Sequence, residues 1–208
     1  MAQIIFYTNP MSRGRIARWM LEETGVPYEA RIIPFGPPMK TDAYKAVNPM
    51  GKVPSILHGD AVVTECAAIC AYLADAYPEA GLIPRPHERA AYYRWLFFAA
   101  GPLEAAVTNR SLGVEVPTER RGMVGYGSFE RVMDTLEAAV SAHPFITGDR
   151  FTAADVYVGS HIDWGLKFGS IDDRPAFRDY HARLSARPAY QRAEALDNAA
   201  AAEMQKNA

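Results

Sequence analysis

Apolar patterning changes character once along this chain, at residues 78–88. Before that stretch, short runs rich in β-branched and aromatic residues alternate with segments of helical period; after it, every apolar pattern is helical. The dividing segment, "PEAGLIPRPHE", carries three prolines and a glycine, which interrupt regular structure and suit a linker. The chain therefore reads as two domains, residues 1–78 and 87–208, joined through 79–86. The first is α/β and the second all-α.

Within the first domain, "QIIFYT" (3–8) lacks strict alternation and predicts a strand covered on both faces. A helix is expected from Ser12 to Thr24, with Ile16 above Met20 and Ala17 above Leu21. Arg15, Arg18 and Glu22 fall towards its other side, and Gly25 is placed to stop it. "YEARII" (28–33) is a second strand, giving a β-α-β opening with a right-handed crossover. After the loop "FGPPMK" and a short helix in "TDAYKAV", "PSILH" and "AVVT" flank Gly59-Asp60 as a hairpin. "ECAAICAYLADAY" then puts Cys66, Ile69, Cys70, Leu73 and Tyr77 on one stripe, so the order βαβαββα closes by residue 77.

The later segments are long helices, the second of them ("TERRGMVGYGSFERVMDTLEAAVSAH") interrupted by Gly122, Gly125 and Gly127. In "GDRFTAADV", Thr152 and Asp155 form a capping box with Phe151 at the staple position, a structural signal. The tail "NAAAAEMQKNA" is expected to fray.

Lys and Arg number 22 against 24 Asp and Glu, so nothing overall draws the chain to nucleic acid or an anionic membrane. No apolar run approaches the ~20 residues that span a bilayer. The opening "MAQIIFYTNP" lacks the parts of a signal peptide, which makes a cytoplasmic protein the expectation. Cys66 and Cys70, four apart, match neither CxxC nor a zinc spacing; they read as reduced thiols on a buried helix face, and no metal site is expected.

Three stretches carry the chemistry. "NPMSRGR" (9–15) closes the first strand, "NPMGKVPS" (48–55) enters the third, and "TECA" (64–67) opens the third helix. A helix start presents unpaired N–H groups to an anion, and Glu65 beside them offers an acceptor for an ammonium. Val53 precedes Pro54 and is biased to an extended shape, so its N–H and C=O suit a peptide-like ligand, with Lys52 as a carboxylate partner. The ligand described is an extended peptide with a carboxylate at each end.

With those motifs in view, the chain resembles the cytosolic glutathione S-transferases over nearly its full length. "NPMGKVPSIL" followed by "VVTECAAICAYLAD" is similar to the family's glutathione-binding segments, "FTAADV" to its capping box, and "ARLSARPAYQRA" to its C-terminal helices. "YTNPMSRGRIARWMLEETGVPYE" resembles a bacterial and fungal subgroup with serine at the start of the first helix. The resemblance implies a thioredoxin-like domain with cis-Pro54, an all-α domain contributing the electrophile pocket, and a homodimer that uses glutathione as co-substrate.

Carried over residue by residue, the resemblance sets Val53 against the cysteinyl backbone of glutathione, Glu65 and Cys66 against its γ-glutamyl group, and Lys52 with Lys40 against its glycine carboxylate. Many relatives have serine where this chain has Cys66, and a thiol is the poorer hydrogen-bonding group. Ser12 is the candidate partner of the reacting sulfur, with Tyr7 and Asn9 as alternatives and simple helix capping as the structural reading of Ser12. Tyr92, Trp95, Phe98 and Pro102, with Trp164 and Phe168, are candidates for an apolar pocket taking a small electrophile. The implied activity is thiolate addition to that electrophile. A glutathione-dependent disulfide or peroxide reductase and a non-catalytic binding protein are the alternatives. Residues 9–15 contain no cysteine, which weighs against a glutaredoxin-like route.

Overall fold

The computed structural model describes residues 2–206, in two compact units. One comprises the residues up to Leu82 together with those from Ala186 onward; the other is Ile83–Ser185.

In the first unit, β1 (Ile4–Thr8), β2 (Tyr28–Ile32), β3 (Ser55–His58) and β4 (Ala61–Thr64) form one sheet in the order β2-β1-β3-β4. β1 runs parallel to β2 and antiparallel to β3, and β3 and β4 form the expected hairpin, with Gly59 at φ 61° in its turn. Ile4, Phe6 and Thr8 are fully buried while Ile5 and Tyr7 are half-buried. β1 is thus sealed on one face and only partly covered on the other, so burial alternates where the sequence led us to expect cover on both faces.

α1 (Gly14–Thr24) buries Ile16, Ala17, Met20 and Leu21 and ends at Gly25, whose φ of 68° continues no helix. α2 (Asp42–Lys45) is a single turn capped by Thr41. α3 (Cys66–Ala76) carries the predicted stripe: Cys66, Ile69, Cys70 and Leu73 are all buried, as is Tyr77 just beyond its end.

The C-terminal tail departs from expectation. It does not fray at residue 198: a helix of 19 residues, Pro188–Lys206, packs against α1; the tail's last two residues lie outside the described residues. It is α9 in chain order, after α4–α8 described below. The sequence division gave this segment to the all-α domain, whereas here it lies in the first unit. The "other side" of α1 is accordingly no solvent face. Arg18 Nε meets Asp197 Oδ1 at 2.8 Å with side chains 5% and 1% exposed, and its Nη1 donates to the Tyr28 hydroxyl at 3.2 Å. Burial pushes the Asp197 carboxyl upward against the pull of Arg18. Tyr28, half-buried and donating to Glu22, is pushed up to about 12.

In the second unit, α4 (Arg89–Phe98) and α5 (Glu104–Ser111) are joined by a wide π-turn over Ala99–Leu103, where Pro102 lacks the N–H that an unbroken α-helix needs. α6 (Phe129–Ala142), α7 (Ala153–Phe168) and α8 (Pro175–Ser185) follow, and no strand follows Thr64 among the described residues. α7 is the central helix, buried almost all round from Ala153 to Gly165. Its start is the predicted capping box. Asp155 accepts from the Thr152 N–H at 2.8 Å and hydroxyl at 3.0 Å, from the Ile146 N–H at 2.7 Å and from the Tyr180 hydroxyl at 2.7 Å. The cap thereby ties α7 to α8 and to the preceding loop.

Removing this carboxylate leaves several buried donors without a partner, so Asp155→Ala is expected to lower stability by on the order of 3 kcal/mol. Tyr180→Phe, which removes one donor, should cost about 1 kcal/mol. Urea denaturation measures both, and an Asp155→Ala midpoint equal to the parent's would contradict this account of the cap.

Candidate functional site

Strand register puts the three chemistry-bearing stretches at one end of the sheet. Tyr7 pairs with Ser55 and Ser55 with Thr64, so Asn9, Pro54 and Glu65 all leave the sheet at the same edge.

The turn after β1 is closed by its own polar groups. Asn9 is fully buried; its Nδ2 donates to the Ile33 carbonyl at 2.9 Å and its Oδ1 accepts the Met11 N–H at 2.9 Å. The Ser12 N–H and hydroxyl both donate to the Asn9 carbonyl, at 3.0 and 2.7 Å, while Ser12 Oγ accepts the Gly14 N–H at 2.9 Å. Because the serine is spent on this turn, α1 begins at Gly14 and not at Ser12. Tyr7 points to the opposite face from Thr8, as neighbours in a strand do. Its hydroxyl accepts from Arg31 Nη1 at 3.2 Å and its ring tilts against Tyr44 at 5.6 Å.

At the second stretch the Val53–Pro54 bond is cis. The Lys52 carbonyl accepts from the Tyr44 hydroxyl at 2.7 Å and from Asn48 Nδ2 at 2.8 Å, and both donors also lie 3.3 Å from Ser55 Oγ. Tyr44 and Asn48 therefore hold the backbone on both sides of Val53 and Pro54. Neither was singled out from the sequence; the available signal was the turn-forming Asn-Pro at 48–49. Burial pushes the Tyr44 hydroxyl above its ordinary value, which keeps it a donor. Gly51, at φ 58°, sits so close to the Met39 carbonyl that a Cβ would lie 2.6 Å from that oxygen. Lys40 Nζ lies 3.5 Å from the Gly51 carbonyl, bringing Lys40 and Lys52 to the same turn.

At the third stretch Glu65 adopts φ 63° and ψ 119°, a left-handed φ unusual for a residue with a side chain and costing ~1–3 kcal/mol. Its exposed carboxylate has no hydrogen-bond or ion-pair partner among the described residues. Cys66 opens α3, and its Sγ donates to the Arg13 carbonyl at 3.4 Å, drawing the start of α3 to the turn that holds Ser12. Cys70, one helical turn on, is fully buried; its hydrogen bond with Cys66 and its burial push the thiol well above the ordinary range. Both cysteines are free thiols.

The aromatic candidates of the second unit differ widely in exposure. Tyr92 is completely enclosed and offers no surface to a ligand. Trp95 packs edge-on to Phe98 at 5.3 Å, Trp164 edge-on to Phe168 at 6.3 Å, and Phe168 is 77% exposed. Pro102 is half-buried in the π-turn. A cleft of about 830 Å³ in this unit is lined instead by Arg110, Val116, Arg121, Tyr126 and Phe129, none of them among the sequence candidates. What sequence reading lacked there is the path of the 112–128 loop, which carries no apolar period.

Residues 11–76 match the family described as glutathione S-transferase, N-terminal domain, and residues 103–183 that described as glutathione S-transferase, C-terminal domain. Glutathione S-transferase GstA of Escherichia coli O157:H7 is 31% identical over 157 residues, spanning 72% of this chain and 76% of that protein. The chain belongs to the glutathione S-transferase family. Glutathione S-transferase 1 of Schizosaccharomyces pombe is 29% identical across 86% of this chain and 91% of its own length. Among solved structures, the theta class glutathione S-transferase of Xanthomonas axonopodis pv. citri with glutathione bound is 29% identical, with a TM-score of 0.71 over 93% of this chain and 97% of that one. The four-stranded unit is thus the family's thioredoxin-like domain, and the helical unit its C-terminal domain.

Gly14 is the tightest point of the site in this glutathione S-transferase, since a Cβ there collides with Thr8 Oγ1 beneath it. Gly14→Ala is expected to destabilise by about 1–3 kcal/mol. Thr8 Oγ1 is buried without a hydrogen-bond partner among the described residues, so Thr8→Ala alone should cost little. A double-mutant cycle read by urea denaturation should therefore show Thr8→Ala recovering part of the Gly14→Ala loss. Strict additivity would contradict the close approach.

Proposed function

We propose that this glutathione S-transferase uses Ser12 to hold the glutathione sulfur as a thiolate for attack on a small apolar electrophile. The observation that supports the reading is the bonding around that hydroxyl. Its proton rests on the Asn9 carbonyl, which also accepts the Ser12 N–H, so the proton can turn to another acceptor without leaving the carbonyl unpaired. The Gly14 N–H on Oγ polarises the hydroxyl further towards donation. Of the rivals, Asn9 is buried with both ends of its amide engaged; the Tyr7 hydroxyl accepts from Arg31 and keeps its own proton to donate, so it is the rival that the comparison of variants below separates from Ser12.

The magnitudes close. A thiol of pKa ~8.5 is a few per cent ionised at pH 7, and lowering it by about two units needs ~2.7 kcal/mol of preference for the anion. One hydroxyl donating to a charged sulfur supplies ~1.5–3 kcal/mol, and the start of α1 adds ~0.3–1 kcal/mol.

In the same reading the rest of glutathione lies along residues 1–78. Val53, before Pro54, pairs its backbone with the cysteinyl residue. Glu65 takes the γ-glutamyl ammonium and the Cys66 N–H the carboxylate beside it, while Lys52 and Lys40 take the glycine carboxylate. The unpartnered carboxylate of Glu65 among the described residues and the approach of Lys40 Nζ to the Gly51 carbonyl, next in the chain to Lys52, support this division. The domain placed at 87–208 supplies the electrophile pocket through Trp95, Phe98, Pro102, Trp164 and Phe168. A cytoplasmic location belongs to the proposal on the opening residues and a homodimer on family resemblance alone, and light scattering that finds a monomer at micromolar concentration would remove the dimer from it.

Thiolate absorbance of bound glutathione, followed across pH in Ser12→Ala, Tyr7→Phe and Asn9→Ala, tests the central assignment. Ser12→Ala should raise the bound thiol's pKa by ~1–2 units, the equivalent of ~1.5–3 kcal/mol. An unchanged value in Ser12→Ala with a raised one in Tyr7→Phe would assign the sulfur to the tyrosine. Glu65→Gln should weaken glutathione binding roughly ten- to hundredfold by calorimetry, and unchanged affinity would mean that the carboxylate points elsewhere.

A further inference from the structure

Arg15 spends its guanidinium in three directions. Nε donates to the Pro10 carbonyl at 2.6 Å, Nη1 to Glu194 Oε1 at 3.0 Å and Nη2 to Asn198 Oδ1 at 2.9 Å. Glu194 and Asn198 are four apart and so present one face of α9. Pro10 lies inside the turn that holds Ser12. Further along α1, α9 is fixed by Arg18 to Asp197, by Arg187 to Glu23 through two bonds of 2.7 Å, and by Arg192 to Glu22. The Arg18 and Arg192 pairs join helix to helix, and Arg187 makes its pair from the residue just before α9. Arg15 extends the same seam onto the loop.

We propose that Arg15 is a positioning residue: anchored by Glu194 and Asn198 of α9, it grips the Pro10 carbonyl and fixes the 9–13 turn so that the Ser12 hydroxyl meets the glutathione sulfur. The inference rests on the Ser12 reading and adds to it a part for the C-terminal helix. A planar fork suits the task, because three bonds in fixed directions define a position that a lysine ammonium cannot reproduce. The role is one of geometry and not of charge, since Glu194 sits directly on the guanidinium and offsets it.

That distinction sets the test. Arg15→Ala and Arg15→Lys should both raise the bound thiol's pKa and lower kcat by ~10- to 100-fold, with KM for glutathione changed by no more than about twofold. Glu194→Gln keeps an acceptor for Nη1 while deleting the charge, and should leave the thiol pKa where it was. Arg187→Ala, which loosens α9 away from the turn, should lower the melting temperature with no change in thiol pKa. A raised pKa in Ser12→Ala with a parental value in Arg15→Ala would overturn the positioning role while leaving the Ser12 assignment standing. A parental value in Ser12→Ala would overturn the assignment itself, and this inference with it. Parental behaviour in Arg15→Lys together with a lowered thiol pKa in Glu194→Gln would show that Arg15 acts by charge, which also overturns it.

Discussion

The buried side chain of Asn9 is the fixed point of the site. It ties the end of β1 to the chain just past β2 through the Ile33 carbonyl, and it anchors the Met11 N–H with its other end. Its backbone carbonyl then receives both donors of Ser12. Each such bond contributes ~1 kcal/mol net, but leaving a buried donor or acceptor unmade costs ~1–3 kcal/mol, so the turn has one arrangement that satisfies everything. Rigidity of this kind is what a thiolate site needs, because with the backbone fixed only the hydroxyl itself has to turn to meet the charge. One proton in the turn can be redirected cheaply, and it is the proton of Ser12.

Around the turn, further contacts order the rest of the site. Cys66 reaches the Arg13 carbonyl from the start of α3, and Tyr44 and Asn48 brace the Lys52 carbonyl beside Pro54. Behind it, α9 packs on α1 through the Arg18–Asp197 pair. A buried pair of this kind is poor evidence for stability, since desolvation offsets most of the attraction. Its effect is on orientation: Arg18 must face Asp197 and Tyr28 together, and that fixes the rotation and height of α9 against α1. With α9 so placed, Glu194 and Asn198 come into reach of Arg15.

Where order along the chain sufficed, the sequence could be read. The short β-branched and aromatic runs and the period-3.6 runs of the first 77 residues specify βαβαββα, Gly59-Asp60 specifies the hairpin, and Thr152 with Asp155 specifies the start of α7. What stayed hidden depended on partners far away in the chain. Arg15 and Arg18 could be placed on the far side of α1 but not given partners, because the groups that hold them lie about 180 residues downstream. The alanine-rich tail looks fit to fray because its anchoring residues, Tyr190, Glu194 and Asp197, are spaced through polar sequence. Tyr44 and Asn48 escaped notice since their task is to hold a carbonyl, which no residue pattern announces. Tyr92 was the opposite case: an aromatic on a helix stripe, readable as pocket or as core, and burial makes it core.

The account turns on a proton that is held in one place and delivered to another. A crystal structure of the protein with reduced glutathione measures this directly, through the position of Ser12 Oγ. The account predicts the sulfur within hydrogen-bond distance of Ser12 Oγ, with the hydroxyl turned away from the Asn9 carbonyl, the Ser12 N–H still on that carbonyl and the 9–13 backbone unmoved. A sulfur lying beside the Tyr7 hydroxyl, with Ser12 still donating to Asn9, would contradict it.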